Sequence, residues 1–599
     1  MPGKDKKERA ETGPQADDFR FSPRPNLAHE INWMPWGEEA FLRAEREGKA
    51  VLLSISAIWC HWCHVMDETS YSDHSVIDLI NRSFVPVRVD SDRNPDINRR
   101  YNQGGWPTTA FLDPHGALLA GATYIPPETM RAALERISQL YAQHDIEMSV
   151  QDPDALFPTF QPSELDVSLV EEVGAQILRG WDRPYGGLGR EPKFPQAEAI
   201  SLALELYSDE GNPEYLAFAR TTLEAMIGGN LFDDVEGGFF RYSTTRDWSI
   251  PHYEKMLADN AGLISVLLKA YALTGAHVFR RTAGETADFV YRVLSDGRSM
   301  FFGSQDADEE YYLLKQEGRR ELTPPPVDRT VYTDLAARAA VSFLLEGTAL
   351  RKEEHFSLAL EGLEFLWNES YRPGQGIAHY HDGQPHRWGL LEDSIEPAIA
   401  FITAFGYTGE AKYLERAKTL LDLCVEAHWD AAKSLFIDTA PGHLLPGLKP
   451  QPAELASQSR AAEAMLLYWV FSGDDAWRHR ASQVLSAASA MAAAYGYMAA
   501  PFAAAVNLYL RGPLLIKISG SLAGAARSLL RLAVLSPQPR TVTMIASEVG
   551  RINGEVWSEV CTMDTCRLRT SESEVLAEEL GVLEEIVKGV KQDEGSLPG

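Results

Sequence analysis

The stretch SISAIWCHWCHVMDE, residues 54–68, decides how the first part of the chain is read. Two cysteines, Cys60 and Cys63, stand two residues apart, with Trp59, His61, Trp62 and His64 around them. Before them, AVLLSIS (50–56) is a short apolar run rich in strand formers. The pair therefore falls at a strand-to-helix turn, and Cys60 is expected at a helix N-terminus. Unpaired backbone N–H groups and the positive end of the helix dipole stabilise a thiolate there. His61 adds to this when protonated. Cys63 is within reach to resolve a mixed disulfide on Cys60. This placement implies a partly exposed Cys60 and a more buried Cys63.

Outward from the pair, the order is helix, strand, CxxC, helix, strand (VPVRVD), helix, a loop with Pro107 in GGWPTTAFLDP, two further strands and a closing helix. A proline just before the third strand is where a cis peptide would hold backbone against the thiols. A zinc site built on Cys60, His61, Cys63 and His64 is a competing reading, but adjacent residues rarely serve one tetrahedral ion and no second CxxC follows nearby. An inert structural pair is the other. No metal and no cofactor is expected.

At these residues the chain resembles the thioredoxin superfamily. INWMPWGEEAF, CHWCHVMDETS, VRVDSDRNPDINRRY and GGWPTTAFLDPHG narrow the resemblance to the spermatogenesis-associated protein 20-like family, which joins a thioredoxin-like domain to a large helical toroid. The resemblance implies Cys60 as attacking thiol, Cys63 as resolving thiol, Pro107 orienting the partner, and Trp59 and His61 in support.

Beyond a Pro- and Asp-marked linker, apolar residues recur at helical spacing for about twelve helices, nearly to Arg511. Short and long joints alternate. In a ring of antiparallel hairpins this gathers the long joints at one mouth, where function concentrates. GGLGREPKFP and GGFFRYS read as weak internal echoes. The long joints are rich in Gly, aromatics and acids. Over residues 165–510 the pattern is similar to the (α/α)6 toroids of glycosidases and sugar epimerases, which implies a carbohydrate-like cup and no particular reaction. His252, Glu254, Asp259, Asp306, Asp308, Asp334, Glu392 and Asp393 are its candidate residues. Of these, His252 is expected at a helix start, with Asp259 on its face and Glu254 pointing elsewhere. Acids and a histidine at helix N-termini also serve as caps and braces. PQPAELASQSRAAEA departs from a Pro-Ser-Gly-Asn-type segment usual in the family, which implies a diverged pocket.

The expected architecture is multidomain. A disordered lead-in (1–25) precedes an α/β thioredoxin-like domain (26–148) and a linker (149–164). An all-α (α/α)6 toroid (165–511) and a small C-terminal α/β unit (512–599) follow. In that unit Cys561 and Cys566 form a possible second thiol pair across the turn TMDT, expected as two reduced neighbours in a reducing cytosol, with a disulfide as the alternative that four intervening residues permit; Cys424 is expected in core.

Acidic residues outnumber basic ones 85 to 56 and the formal charge is −29. Such a chain repels nucleic acid and anionic membrane. Five cysteines in 599 residues make no disulfide scaffold. The charged N-terminus lacks the apolar core of a secretory signal, and the uncharged run 481–510 is built on Ala and Ser, as in buried small-residue helices. The expectation is a cytoplasmic thiol–disulfide oxidoreductase whose partners are a redox protein or small thiol and a carbohydrate-like small molecule. A sugar isomerase or epimerase with the thioredoxin-like part as regulator, and a non-catalytic binding protein, are the alternatives.

Overall fold

The computed structural model describes residues 19–143, 163–446, 448–520, 524–546 and 556–594. Two compact units emerge, one of residues 1–157 with 444–449, the other of 158–443 with 450–599.

In the first unit, β1 (Ala50–Ser56), β2 (Phe84–Asp90), β3 (Thr108–Leu112) and β4 (Leu118–Ala122) form one sheet in the order β2-β1-β3-β4. The β1/β2 pair is parallel and the β1/β3 and β3/β4 pairs are antiparallel. This is the thioredoxin-like order. Helices α1 (Glu38–Glu47), α2 (His61–Glu68), α3 (His74–Ser83), α4 (Pro95–Tyr101) and α5 (Pro127–Gln143) accompany it. Alternate residues of buried β1 supply opposite cores: Leu52 meets Phe84, Phe111 and Met130, while Val51 and Leu53 meet Val85, Val87 and Ala110. The helix expected between the second strand and the proline-led strand is α4, which starts with Pro95 at its first turn.

The lead-in shrinks. Residues 1–18 lie outside the described residues, but Phe19 and Phe21 pack on the core and Ser22 N donates to Asp67 Oδ2 at 2.9 Å. The charge of the segment concealed two aromatics that have a place to bury. The expected linker lies mostly outside the described residues.

The second unit holds twelve principal helices: α6 (Val167–Gly180), α7 (Ala197–Glu210), α8 (Pro213–Gly228), α9 (Leu257–Thr274), α10 (His277–Val293), α11 (Thr333–Leu350), α12 (Glu353–Phe365), α13 (Glu392–Thr408), α14 (Ala411–His428), α15 (Leu455–Ser472), α16 (Asp475–Tyr495) and α17 (Ala500–Arg511). The odd-numbered helices from α7 to α17 touch in succession, and α17 closes on α7. Each even-numbered helix packs outside its hairpin partner, with α6 completing the ring against α17. Inner helices are apolar nearly all round because both faces are covered; α11 and α13 are buried along most of their length.

Five joints between inner and outer helices have only two residues, and each begins with a left-handed residue: Gly211, Gly275, Arg351, Gly409 and Gly473. The long joints all enter the N-termini of inner helices, so they share one face. Asp475–Arg511 is long and apolar enough by composition to cross a membrane. It is broken at Gly496–Ala499 into α16 and α17, both built into the ring.

The opposite face is covered. A sheet of β5 (Leu514–Ser519), β6 (Thr541–Ala546), β7 (Trp557–Cys561) and β8 (Cys566–Thr570), in the order β6-β5-β7-β8, packs there with α18 (Ala525–Val534). Arg531 Nε donates to Ala349 O at 2.8 Å, and Arg540 binds Asp209 at 2.6 and 2.8 Å. A Cβ on Gly406 would lie 2.5 Å from Thr543 O, so the close approach requires glycine. The C-terminal α/β part thus groups with the ring in one compact unit.

Candidate functional site

Cys60 is the N-cap of α2. Its Sγ accepts the Cys63 backbone N–H at 3.1 Å, and the two cysteines form a disulfide. Trp59 anchors the turn by donating from Nε1 to Asp92 Oδ2 at 2.7 Å, and its ring meets Trp106 edge-on at 5.5 Å. The Trp106–Pro107 peptide is cis. The loop before it is held by Asn102 Oδ1, which accepts the Gly104 and Gly105 N–H groups, and by Thr108 Oγ1, which donates to Gly105 O at 2.8 Å. Trp62 is 49% exposed and packs on Tyr124, while Cys60 is only 5% exposed and Cys63 2%. Cys60 is therefore more enclosed than its helix-start position implied. His64 is buried, and burial pushes its pKa down. Behind α2, Arg88 donates to both oxygens of Asp67 at 2.9 Å inside the unit.

At the ring's mouth, the echo seen in sequence becomes a structural repeat. Outer helices end in a short antiparallel bridge: Trp181 to Leu188, Phe232 to Phe239, Ser295 to Phe301, and Trp429 to Phe436. In the first two, a buried lysine lies inside the hairpin. Lys193 donates to Asp182 at 2.8 Å and Arg246 donates to the same carboxylate; Lys255 donates to Asp233 at 2.7 Å, where Arg319 joins it. Burial pulls the Lys255 ammonium down to about 8 despite Asp233. The glycine pair Gly237–Gly238 has φ of 82° and 80°, and a Cβ on Gly238 would lie 2.5 Å from the Phe289 ring. Asn260 and Gln458, at the fourth position of α9 and α15, clamp Phe239 and Phe436 with their side-chain amides.

His252 is not at a helix start. It lies in a two-residue strand paired with Tyr242–Ser243, five residues before α9. Its ring stacks on Tyr242 at 4.7 Å, and Tyr242 stacks on half-exposed Phe194 at 4.8 Å. Glu254 turns back toward it, with both oxygens 3.1 Å from His252 Nδ1. Asp259 belongs to the first turn of α9, and burial pushes its carboxyl up to about 6. Asp308 caps the short helix Glu309–Tyr312, accepting Tyr311 N–H at 2.9 Å; Asp306 accepts Ala307 N–H at 2.8 Å. Both bonds brace the loop.

Asp334, Glu392 and Asp393 converge from the N-termini of the neighbouring helices α11 and α13. Sequence reasoning missed their companion, His379, which lies in the joint before α13. Its backbone fixes it: His379 N–H donates to Arg387 O at 2.6 Å, and its carbonyl accepts Thr333 N–H at 2.9 Å. His379 Nδ1 is 3.0 Å from both oxygens of buried Asp393. One polar atom each of Asp334, His379 and Asp393 lies within 4.8 Å of the others. Burial pushes the Asp334 carboxyl up to about 6, helped by Asp393 and Glu392 and opposed by His379; Asp393 is also raised by burial. Glu392 accepts Ser457 Oγ at 2.6 Å. One turn on, Glu396 meets Arg338 at 3.0 Å and both oxygens meet Arg460 at 2.9 and 2.6 Å. Ser457 and Arg460 belong to the segment that departs from the family pattern.

Cys561 and Cys566 pair across the β7/β8 hairpin as a disulfide, the alternative to the reduced neighbours favoured from sequence. The turn registers them opposite one another, with Cys561 buried and Cys566 exposed. Cys424 is buried in α14.

Residues 24–156 match the family model Thioredox_DsbH, described as a protein of unknown function, DUF255. Human spermatogenesis-associated protein 20 is 32% identical over 338 residues, 50% of this chain and 43% of that protein. The rat protein of the same name is 33% identical over 446 residues, 67% of this chain and 52% of that one. The chain thus spans about half the length of these relatives. Among solved structures, a sugar epimerase from a ruminal bacterium is similar over 53% of this chain and 85% of its own, with 13% identity and a TM-score of 0.43.

Proposed function

For a chain homologous to spermatogenesis-associated protein 20, we propose thiol–disulfide exchange at Cys60 and Cys63 as the activity of the thioredoxin-like unit. One observation carries this reading: Cys60 caps α2, receives the Cys63 N–H on its sulfur and is joined to Cys63. The same N–H and helix dipole stabilise the Cys60 thiolate once the pair is reduced. That thiolate attacks a substrate disulfide and one substrate sulfur leaves as thiolate. Cys63 then attacks Cys60 Sγ, re-forming the Cys60–Cys63 bond and releasing the second substrate thiol. The substrate gains two electrons, and a partner dithiol or small thiol returns them to the pair. In this reading Pro107, whose peptide with Trp106 is cis, orients the incoming chain. The cytoplasm is the proposed setting.

The test is reduction of insulin disulfides by the full chain with dithiothreitol as electron source. The wild type should exceed dithiothreitol alone, and Cys60→Ser should fall to that background. Equal rates for the two proteins would refute the reading.

A second reading concerns the ring. The Phe194–Tyr242–His252 stack and the acids at the inner-helix N-termini suit a carbohydrate-like small molecule, which stacks a ring face on aromatics and donates hydroxyls to carboxylates. Binding of plain hexoses, followed by saturation-transfer NMR, tests it.

A further inference from the structure

We propose that Glu559, Cys561 and Cys566 hold a zinc ion when the Cys561–Cys566 bridge is reduced, so that the β7/β8 hairpin carries either a disulfide or a metal. One ligand atom from each of the three residues lies within 4.8 Å of the other two. The site is independent of the exchange proposed for Cys60 and Cys63.

The strand geometry brings the three together. Glu559 and Cys561 are two residues apart on β7, so their side chains share a face. In an unbroken ladder Cys566 would not join them. Val560 pairs with Leu568, and a side chain two residues from Leu568 falls on the Val560 face. The register shifts between Val560 and Cys561, which leaves Arg567 as the extra residue and sets Cys566 opposite Cys561. A bulge re-aims a side chain in this way. The turn is closed by Thr562 N–H, which donates to Thr565 O at 2.8 Å. Cys561 is buried and Cys566 exposed, so the pair is anchored at one end and open to solutes at the other. The Glu559 carboxylate is also available: among the described residues its one charge partner is Arg569 Nε at 3.9 Å, beyond hydrogen-bond length.

The donor set selects the ion. Magnesium and calcium take oxygen ligands, whereas two thiolates with one carboxylate suit zinc. Zn–S bonds of about 2.3 Å in a tetrahedron hold two sulfurs about 3.8 Å apart, which bonded sulfurs cannot be. Bridge and ion therefore exclude each other. Three protein ligands leave a fourth position for water or a small thiol. Charge agrees with this. A divalent ion offsets most of the negative charge of two thiolates and a carboxylate. Lys517 on β5 and Arg569 on β8 stand opposite Glu559 and add positive charge beside it.

The switch between the two states balances with glutathione disulfide as oxidant. The exposed Cys566 thiolate attacks one glutathione sulfur, and a glutathione thiolate leaves. Cys561 then attacks Cys566 Sγ; the bridge forms and the second glutathione thiolate leaves. The protein gives up two electrons, glutathione gains them, and zinc departs because Glu559 alone remains to hold it. A dithiol reverses the step by reducing the bridge, and the ion returns.

The experiment reduces the full chain with dithiothreitol, removes the reductant under argon and titrates with Co2+ and then Zn2+. Thiolate-to-cobalt charge-transfer absorption reports sulfur ligation. A Cys60→Ser/Cys63→Ser protein isolates the hairpin, and thermal melting checks the folding of every variant. This protein should bind one Co2+ with the charge-transfer band, and Zn2+ should displace it. Adding Cys561→Ser/Cys566→Ser, or the milder Cys566→Ser alone, should abolish the band. Glu559→Gln should weaken binding at least about tenfold, the least that loss of a ligand's supporting partner costs. Glutathione disulfide added to the zinc-loaded protein should release the ion to a chelating dye. Absence of the band in the Cys60→Ser/Cys63→Ser protein, or its survival without Cys561 and Cys566, would overturn the site. Unchanged affinity in Glu559→Gln would overturn the ligand set. Zinc retained after oxidation would overturn the switch.

Discussion

Nδ1 of His379 stands 3.0 Å from both carboxylate oxygens of Asp393, a residue that begins the next inner helix. His252 and Glu254 repeat the relationship at 3.1 Å on another long joint. Both histidines have a buried carboxylate on the same ring atom. Two joints of the same mouth thus build the same device from different sequences, one with Glu two residues on and one with Asp fourteen residues on.

Asp334 gives a pH signature. Its folded carboxyl is raised to about 6, above the usual value of about 3.9. The protonated form is therefore favoured by folding. Its contribution is fully present below the unfolded pKa and is lost as pH rises through about 6. Asp334→Asn, which cannot ionise, should gain stability relative to the wild type between pH 4 and pH 7. Urea unfolding at several pH values measures this, and a constant difference would contradict it.

Glu396 has the opposite sign. Burial alone would raise it, but Arg338 and Arg460 hold it down at about 2. Its contribution is present above the unfolded value of about 4.3 and is lost as pH falls through about 2. The stability gap between wild type and Glu396→Gln should be wide at pH 6 and shrink toward pH 2. Glu396→Ala should cost about 1–3 kcal/mol at neutral pH, because Arg338 loses this carboxylate while Arg460 keeps Glu463 at 2.6 Å.

In the thioredoxin-like unit, Asp67 and Arg88 are both almost wholly buried and Arg88 also lies over the Phe21 ring at 4.7 Å. Asp67→Ala should cost about 3–5 kcal/mol by leaving a buried cation unpaired. Replacing both residues with apolar ones of similar volume should cost much less. Thermal melting of the single and double variants separates the two outcomes.

The Cys561–Cys566 bridge closes a very short loop at the β7/β8 turn. Chain-entropy arguments give a bridge of this span about 2 kcal/mol. Changing both cysteines to serine should lower stability by that order and leave insulin reduction unchanged. A fall in insulin reduction would show that the pair shares in the chemistry.

Much of this was legible because it is periodic. Helices alternating with two-residue joints announce themselves through 3.6-residue spacing and glycines at their ends, and the CxxC announces itself through the strand before it. His379 was not legible: it lies between the two-residue strands Gly376–Ile377 and Tyr380–His381, where no period marks which side chain faces the mouth. Lys193 was missed because an isolated lysine reads as surface, and only the hairpin that returns Asp182 makes burial tolerable. Phe19 and Phe21 were hidden by the charged residues before them. His252 was placed on a helix because its spacing to Asp259 mimics a helical one, although a two-residue strand pairing intervenes.

The most direct test of the central claim is to trap the exchange. Reduced Cys63→Ser protein is incubated with oxidised glutathione and its adducts are mapped by mass spectrometry, with Cys60→Ser in parallel. A persistent glutathione disulfide on Cys60 in the first variant, with little on Cys63 in the second, is the expected result. Equal labelling of Cys60 and Cys63, or no adduct on Cys60, would contradict the assignment of Cys60 as the attacking thiol.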